Sequence, residues 1–133
     1  MEQEKISSEL SEKVTFEVEI PLKLPSCNDY ILECRRNKYA GAKMKRDIEE
    51  QICWYIKKLP RFEHPVTINF HWIEGNKRRD LDGICFGKKF ILDAMVKAGV
   101  LSDDNRKIVT AFTDTFEYAK ETKVIIRITE VTT

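Results

Sequence analysis

The stretch Gly75–Asn105 reads GNKRRDLDGICFGKKFILDAMVKAGVLSDDN. It places acidic residues next to a run of basic residues and again after a predicted helix. Asp80 and Asp82 come directly after a run of basic residues at the end of a predicted strand. Asp103 and Asp104 follow one predicted helix later. Four carboxylates therefore lie around a segment that is otherwise rich in lysine and arginine.

Strands are predicted on both sides of this stretch by the alternation of apolar and polar residues. Val14–Ile20 and Val66–Ile73 alternate with a period of two, which is typical of strands with one buried face. Ile108–Tyr118 and Thr122–Val131 show similar alternation, and a short turn near Lys120 joins them. We therefore expect these last two strands to form a hairpin.

Two main helices are predicted between the strands. Apolar residues from Met44 to Leu59 recur at helical spacing after a loop that contains proline and asparagine, and Pro60 ends the pattern. A second helix is predicted from about Ile84 to Ala98, followed by Gly99 as a C-terminal cap. The expected fold class is α+β, with a small mixed sheet and the order β-α-β-α-β-β.

Length and composition favour one domain. A chain of 133 residues suits a single core, which we assign to residues 14–133, whereas the polar residues 1–13 are predicted to be a flexible N-terminal tail. No apolar run approaches the roughly 20 residues of a membrane-spanning helix, and no signal peptide is recognisable at the N-terminus. We therefore expect a cytoplasmic protein that does not enter membranes.

The cysteines do not suggest a metal site or a disulfide framework. They are widely spaced, form no C-x-x-C pair and are accompanied by only two histidines. We expect reduced and mostly buried thiols at Cys27, Cys34, Cys53 and Cys85.

Positive charge is concentrated in two regions, although the whole chain has 23 basic and 22 acidic residues. One region lies between Tyr30 and Arg46. The other consists of Lys77, Arg78, Arg79, Lys88 and Lys89. Such regions can bind nucleic-acid phosphates, but a basic run on a helix is by default a solvated face.

The aspartate pairs predict a metal site. In an extended backbone, Asp80 and Asp82 would project to the same side, and a hard cation such as Mg²⁺ or Mn²⁺ would relieve their repulsion. Asp103 and Asp104 reach the same place if the intervening helix folds back. A short D-x-D motif is nevertheless often fortuitous, and Asp103 and Asp104 are also good turn formers.

These segments resemble the signature of a known nuclease family. KRRDLDG and KKFILDAMVKAGVLSDDNRKIV are similar to the motifs of RusA-type Holliday junction resolvases, and the likeness extends from about Ile20 to Val131. The upstream segment IPLKLPSCNDY also resembles the beginning of these proteins. The resemblance implies a homodimer in a bacterial or phage-infected cell that binds four-way DNA junctions and makes paired cuts with Mg²⁺ or Mn²⁺.

The resemblance also implies roles for individual residues. The essential metal-binding and catalytic aspartates of the family correspond to Asp80, Asp82 and Asp104, with Asp103 as an additional ligand, and the catalytic lysine corresponds best to Lys89. Lys88 is the alternative catalytic lysine. The two basic regions, and not the resemblance, indicate the residues that would contact DNA phosphates, which are Arg35, Arg36, Lys38, Lys77, Arg78, Arg79 and Lys88.

Two departures from the family pattern affect these assignments. Gly83 replaces a usual asparagine, and GICFGKK contains about three extra residues between the second aspartate and the lysine. If the extra residues form an extended loop, Lys89 can still point at the metal site. A non-catalytic DNA-binding module of the same fold and a protein-interaction domain are the alternative functions.

Overall fold

The computed structural model describes residues 14–103 and 107–131, which form four strands and four helices. In chain order these are β1 (Thr15–Ile20), α1 (Cys27–Arg36), α2 (Ala40–Ile56), β2 (Val66–Glu74), α3 (Leu81–Cys85), α4 (Lys88–Lys97), β3 (Val109–Tyr118) and β4 (Lys123–Glu130). No helix in this part of the chain is both long and apolar enough to cross a membrane.

The strands form one mixed sheet in the order β1-β4-β2-β3. β2 and β3 are parallel, whereas β4 pairs antiparallel with both β1 and β2. Parallel neighbours need a crossover connection, and the segment with α3 and α4 provides it between β2 and β3. The predicted α+β class and mixed sheet are confirmed.

The predicted hairpin of the last two strands is wrong, because β2 lies between β3 and β4. The connection between them crosses the end of β2, where the Ala119 N–H donates to the Glu74 carbonyl over 3.0 Å. The Gly75 N–H donates to Thr122 Oγ1 over 2.9 Å. A Cβ at Gly75 would lie 3.1 Å from that oxygen, so glycine suits this close crossing.

The predicted order β-α-β-α-β-β is corrected to β-α-α-β-α-α-β-β. α1 lies in the segment that was predicted to be a loop before the first helix, and it ends before Asn37, whose Oδ1 accepts hydrogen bonds from the N–H groups of Tyr39 and Ala40, both over 2.9 Å. The second predicted helix is divided at Phe86 and Gly87 into α3 and α4. Its end was predicted correctly, since Gly99 follows α4 with a φ of 79°.

The core lies between one face of the sheet and the helices. Its largest fully buried side chains are Phe62, Phe70, Phe90, Ile20, Ile52, Ile56, Ile68, Ile91, Met95, Leu101, Ile126 and Ile128. The opposite face carries polar pairs between strands, such as Arg127 with Glu17 at 3.0 Å. The apolar period of two therefore identified the buried faces of β2 and β4, whereas β3 buries only Val109.

The cysteines and the N-terminal tail were the subject of two further predictions. All four cysteines are free thiols, but the prediction that they are mostly buried is wrong, since Cys27 and Cys34 are exposed and Cys53 and Cys85 are half-buried. The predicted tail, residues 1–13, lies outside the described residues.

Candidate functional site

Asp80 and Asp82 line one surface pocket of about 320 Å³. We call it the aspartate pocket, and its lining residues are Ser26, Cys27, Asn28, Arg78, Arg79, Asp80, Asp82 and Gly83. Two segments form it: the beginning of α1, and the loop that leads from β2 into α3. The fold thus brings the predicted first acidic pair together at the surface.

The pair is presented by a helix start and not by the extended backbone that was predicted. Asp80 precedes α3 with a φ of −71° and a ψ of 157°, and its carbonyl accepts from the Ile84 N–H over 3.1 Å. Asp82 lies in the first turn of α3, where its Oδ1 accepts from the Gly83 N–H over 3.0 Å. The Asp80 carboxylate makes no capping hydrogen bond to α3, so it is available to a ligand.

Positive groups surround the two carboxylates. The N-terminus of α1, which carries the positive end of the helix dipole, contributes Ser26–Asn28 to the pocket wall. Ser26 and Asp29 form a capping box there, with bonds of 3.0 and 3.2 Å. Arg78 is exposed on the other wall. Two carboxylates with nearby phosphate-binding groups fit Mg²⁺, which proteins often hold through one or two carboxylates and substrate phosphate.

The second acidic pair cannot be placed in the same pocket. Asp103 is exposed, and Asp104 lies outside the described residues. Within residues 14–103 and 107–131, no group of three or more histidine, cysteine, aspartate or glutamate side chains could hold a metal ion. The convergence of Asp80, Asp82 and Asp104 stays a prediction.

Neither candidate lysine is among the residues that line the aspartate pocket. Lys88 Nζ lies 2.6 Å from Asp114 Oδ2, and its side chain is only 19% exposed. Lys89 Nζ lies 3.8 Å from Asp93 Oδ2 at the surface of α4. The condition under which Lys89 would point at the metal site is not met, because the extra residues form no extended loop and only Phe86 and Gly87 separate α3 from α4.

Arg79 has a structural role that the sequence did not reveal. Its guanidinium donates to both carboxylate oxygens of Glu74 over 2.9 and 3.1 Å and to the Leu24 carbonyl over 2.8 Å. The two side chains are only 15% and 11% exposed. Arg79 therefore ties the acidic loop to the end of β2, which leaves Lys77 and Arg78 as the exposed cations of this loop.

The other predicted DNA-binding cations form a second basic region. Arg35 and Arg36 lie in the last turn of α1, about 12 Å along the helix axis from Asn28. Lys38 Nζ lies 5.2 Å from the ring centroid of Tyr39. A broad groove of about 770 Å³ beside them is lined by Glu33, Arg36, Asn37, Tyr39, Ala40, Ala42, Lys43, Met44, Arg46 and Asp47.

A further pocket beside the aspartates was not predicted. This aromatic pocket, of about 220 Å³, is lined by Trp72, Glu74, Asn76, Lys77, Arg79, Leu81, Ile84, Phe116, Glu117 and Tyr118. Trp72, which lines this pocket, is only 4% exposed. The parallel pairing of β2 with β3, which brings these aromatic residues together, is not readable from the sequence.

Comparison with protein-family models finds no family that matches the chain, and comparison with curated proteins finds no significant match. The resemblance to RusA-type resolvases therefore stays a prediction.

Proposed function

We propose that this protein is a metal-dependent endonuclease that cleaves four-way junctions or related branched DNA, as the RusA-type resolvases do. The observation that carries the proposal is the aspartate pocket, in which Asp80 and Asp82 lie beside a helix N-terminus and Arg78. Carboxylates for a hard cation and positive groups for a phosphate are what metal-assisted phosphodiester hydrolysis requires.

Asp80 and Asp82 would hold Mg²⁺ or Mn²⁺, with Asp104 and Asp103 as the further ligands that the resemblance implies. When bound, the ion lowers the pKa of its water and neutralises charge on the phosphate. Arg78 and the N–H groups at the start of α1 would orient the phosphate, because both attract negative charge.

DNA would extend from the aspartate pocket along α1 to its basic end. Arg35, Arg36 and Lys38 would then contact backbone phosphates, which position a duplex without reading its sequence. Paired cuts in opposing strands require two active sites, so the proposed active species is a two-fold symmetric homodimer.

Cleavage of a synthetic four-way junction with Mg²⁺ tests the proposal. We expect nicking by the wild type and a loss of at least about 100-fold for Asp82→Asn and Asp80→Asn, because each removes a charged metal ligand. Glu63→Gln is the control, since Glu63 is a surface carboxylate that pairs with Arg61 at 3.3 Å and does not line the aspartate pocket or the groove beside Arg36. Intact strands with both Mg²⁺ and Mn²⁺, or full activity of Asp82→Asn, would contradict the proposal.

A non-catalytic DNA-binding module is the second candidate. It is favoured by the placement of Lys88 and Lys89, which bind Asp114 and Asp93 and do not line the aspartate pocket. Junction binding that weakens steeply with salt, without cleavage in Mg²⁺ or Mn²⁺, would support this candidate. A protein-interaction domain would show no DNA affinity at low salt.

A further inference from the structure

The aromatic pocket lies where the two parallel strands end. Glu74 and Tyr118, the last residues of β2 and β3, are register partners, and α3 contributes Leu81 and Ile84 to the opposite wall. Ligands of open α/β sheets bind outside the carboxyl ends of the parallel strands, near the strand at which the connections change direction. In this sheet the aromatic pocket lies at the carboxyl ends of β2 and β3, the one parallel pair among the described strands.

This pocket adjoins the aspartate pocket. Arg79 lines both of them, and Leu81, which lines the aromatic pocket, lies between Asp80 and Asp82 in the sequence. The first turn of α3 therefore separates the two pockets. The two pockets therefore share part of one wall.

The walls combine flat apolar surface with a cationic rim. Tyr118 is 61% exposed and Leu81 is 56% exposed, which is unusual for large apolar side chains in one place. Lys77 Nζ lies 5.0 Å from the centroid of the Tyr118 ring. Trp72 is fixed at the back, because its indole N–H donates to Asp114 Oδ1 over 2.9 Å.

The pocket also offers a polar group for hydrogen bonding. Asn76 Oδ1 accepts from the Arg78 N–H over 2.9 Å, which fixes the amide and leaves its Nδ2 group to donate to a ligand. A volume of about 220 Å³ suits one planar ring system and is too small for a stacked base pair.

We infer that the aromatic pocket binds a single unpaired DNA base next to the phosphate that lies at Asp80 and Asp82. The inference rests on the proposed function. Every base has a face that stacks on an aromatic ring, and the flanking Lys77 and Arg78 complement the phosphates on either side of that base. Extrusion of a base from a duplex costs roughly a few kcal/mol, and the cost is lower where a branch leaves a base single-stranded.

The inference is tested by removing the Tyr118 ring and comparing cleavage of junctions that carry the base with cleavage of junctions that lack it. Three proteins, namely wild type, Tyr118→Ala and Tyr118→Phe, are assayed on an intact junction and on junctions with an abasic site on either side of the cleaved phosphate. On the intact junction, we expect Tyr118→Ala to lower kcat/KM by roughly 10- to 100-fold and Tyr118→Phe by less than about twofold, since stacking needs only the ring. On one of the abasic junctions, wild type and Tyr118→Ala should be equally active.

Leu81→Ala serves as a second variant, with the same expected dependence on the base, and circular dichroism checks that each variant is folded. Equal losses for Tyr118→Ala on intact and abasic junctions, or no loss on either, would overturn the base-binding assignment while the nuclease proposal stands. A wild type that cleaves no junction would overturn both.

Discussion

At the scale of single residues, two adjacent arginines illustrate how different the roles of neighbouring cations are. Arg79 is engaged by Glu74 and the Leu24 carbonyl and is largely buried, whereas Arg78 is exposed on the wall of the aspartate pocket. Both were predicted to bind DNA because a sequence shows charge but not burial. The structure separates a residue that holds the loop from a residue that is free to meet a phosphate.

Replacement of each arginine by methionine should separate stability from DNA binding. We expect Arg79→Met to lower the free energy of unfolding by about 3 kcal/mol, because it leaves the Glu74 carboxylate nearly buried without a partner. Arg78→Met should change it by less than about 0.5 kcal/mol yet weaken junction binding. Urea denaturation and electrophoretic mobility shift measure the two effects. Adding Glu74→Gln to Arg79→Met should restore part of the lost stability. Equal stability of Arg79→Met and Arg78→Met would refute this assignment.

Cys53 should make stability depend on alkaline pH. Burial raises the pKa of its thiol in the folded protein above the unfolded value of about 8.5. The neutral Cys53 thiol therefore makes its full contribution to the free energy of unfolding below about pH 8.5. This contribution is lost as the pH rises through the folded pKa, because the thiol ionises first in the unfolded state. Urea denaturation under reducing conditions from pH 7 to 10 should show a smaller decline for Cys53→Ser than for the wild type. Parallel profiles of the two proteins would rule out this contribution.

At the scale of elements, helical spacing of apolar residues located the helices that pack on the core but not the exposed helix α1 or the break between α3 and α4. The apolar repeat placed α2 and α4 correctly, but it gave no signal for α1, which contains no buried residue. Asn37 follows the last residue of α1, and its side chain accepts from the N–H groups of Tyr39 and Ala40 at the start of α2. Gly87 separates α3 from α4 because the chain passes close to Leu24, which is a tertiary contact and thus invisible to a local pattern.

Two glycines near this break should respond in opposite ways to alanine. A Cβ at Gly87 would lie 2.8 Å from Leu24 Cβ, whereas the nearest atom to a Cβ at Gly83 is Ser26 Cβ at 3.8 Å. We expect Gly87→Ala to lower the free energy of unfolding by about 1–3 kcal/mol through overpacking. Gly83→Ala should leave it unchanged or raise it by roughly 0.5–1 kcal/mol, since alanine favours the helical backbone.

Thermal and urea denaturation of both variants check this pair. The control is Leu24→Ala, in whose background Gly87→Ala should cost less than in the wild type because the clash is removed. An undiminished cost in that background would show that Leu24 is not the cause.

At the scale of the whole molecule, the sequence predicted the positions of the strands better than it predicted which strands pair with each other. Alternation located all four strands to within one or two residues, because burial of one face is a local requirement. It did not reveal that β4 pairs with β1 and β2, since the period of two is the same for any partner. The site follows this division: Asp80 and Asp82 were placed together correctly, whereas the aromatic pocket depends on the pairing of β2 with β3.

The edges of this sheet limit where a second copy can bind. Among the described elements, β1 and β3 are the edge strands. β1 has only six residues, and short edge strands offer few free backbone groups to another strand. β3 has ten residues and no proline, and its two acidic side chains, Asp114 and Glu117, lie 2.6 Å from Lys88 Nζ and 3.6 Å from His71 Nε2. β3 is therefore the edge along which two copies would most readily form a continuous sheet.

A lysine on β3 should dissociate the proposed homodimer, whereas a lysine on β1 should not. Ala111 is exposed on β3 and lines neither pocket, so Ala111→Lys places one added positive charge on each copy along a symmetric β3 pair. We expect its dimer dissociation constant in sedimentation experiments to rise by at least about tenfold. Thr15→Lys on β1 is the matched control and should dimerise like the wild type. An unchanged dissociation constant for Ala111→Lys would show that β3 is not a dimer interface, because repulsion between like charges at a paired edge must weaken dimerisation. A wild type that is a monomer at all concentrations would lead to the same conclusion.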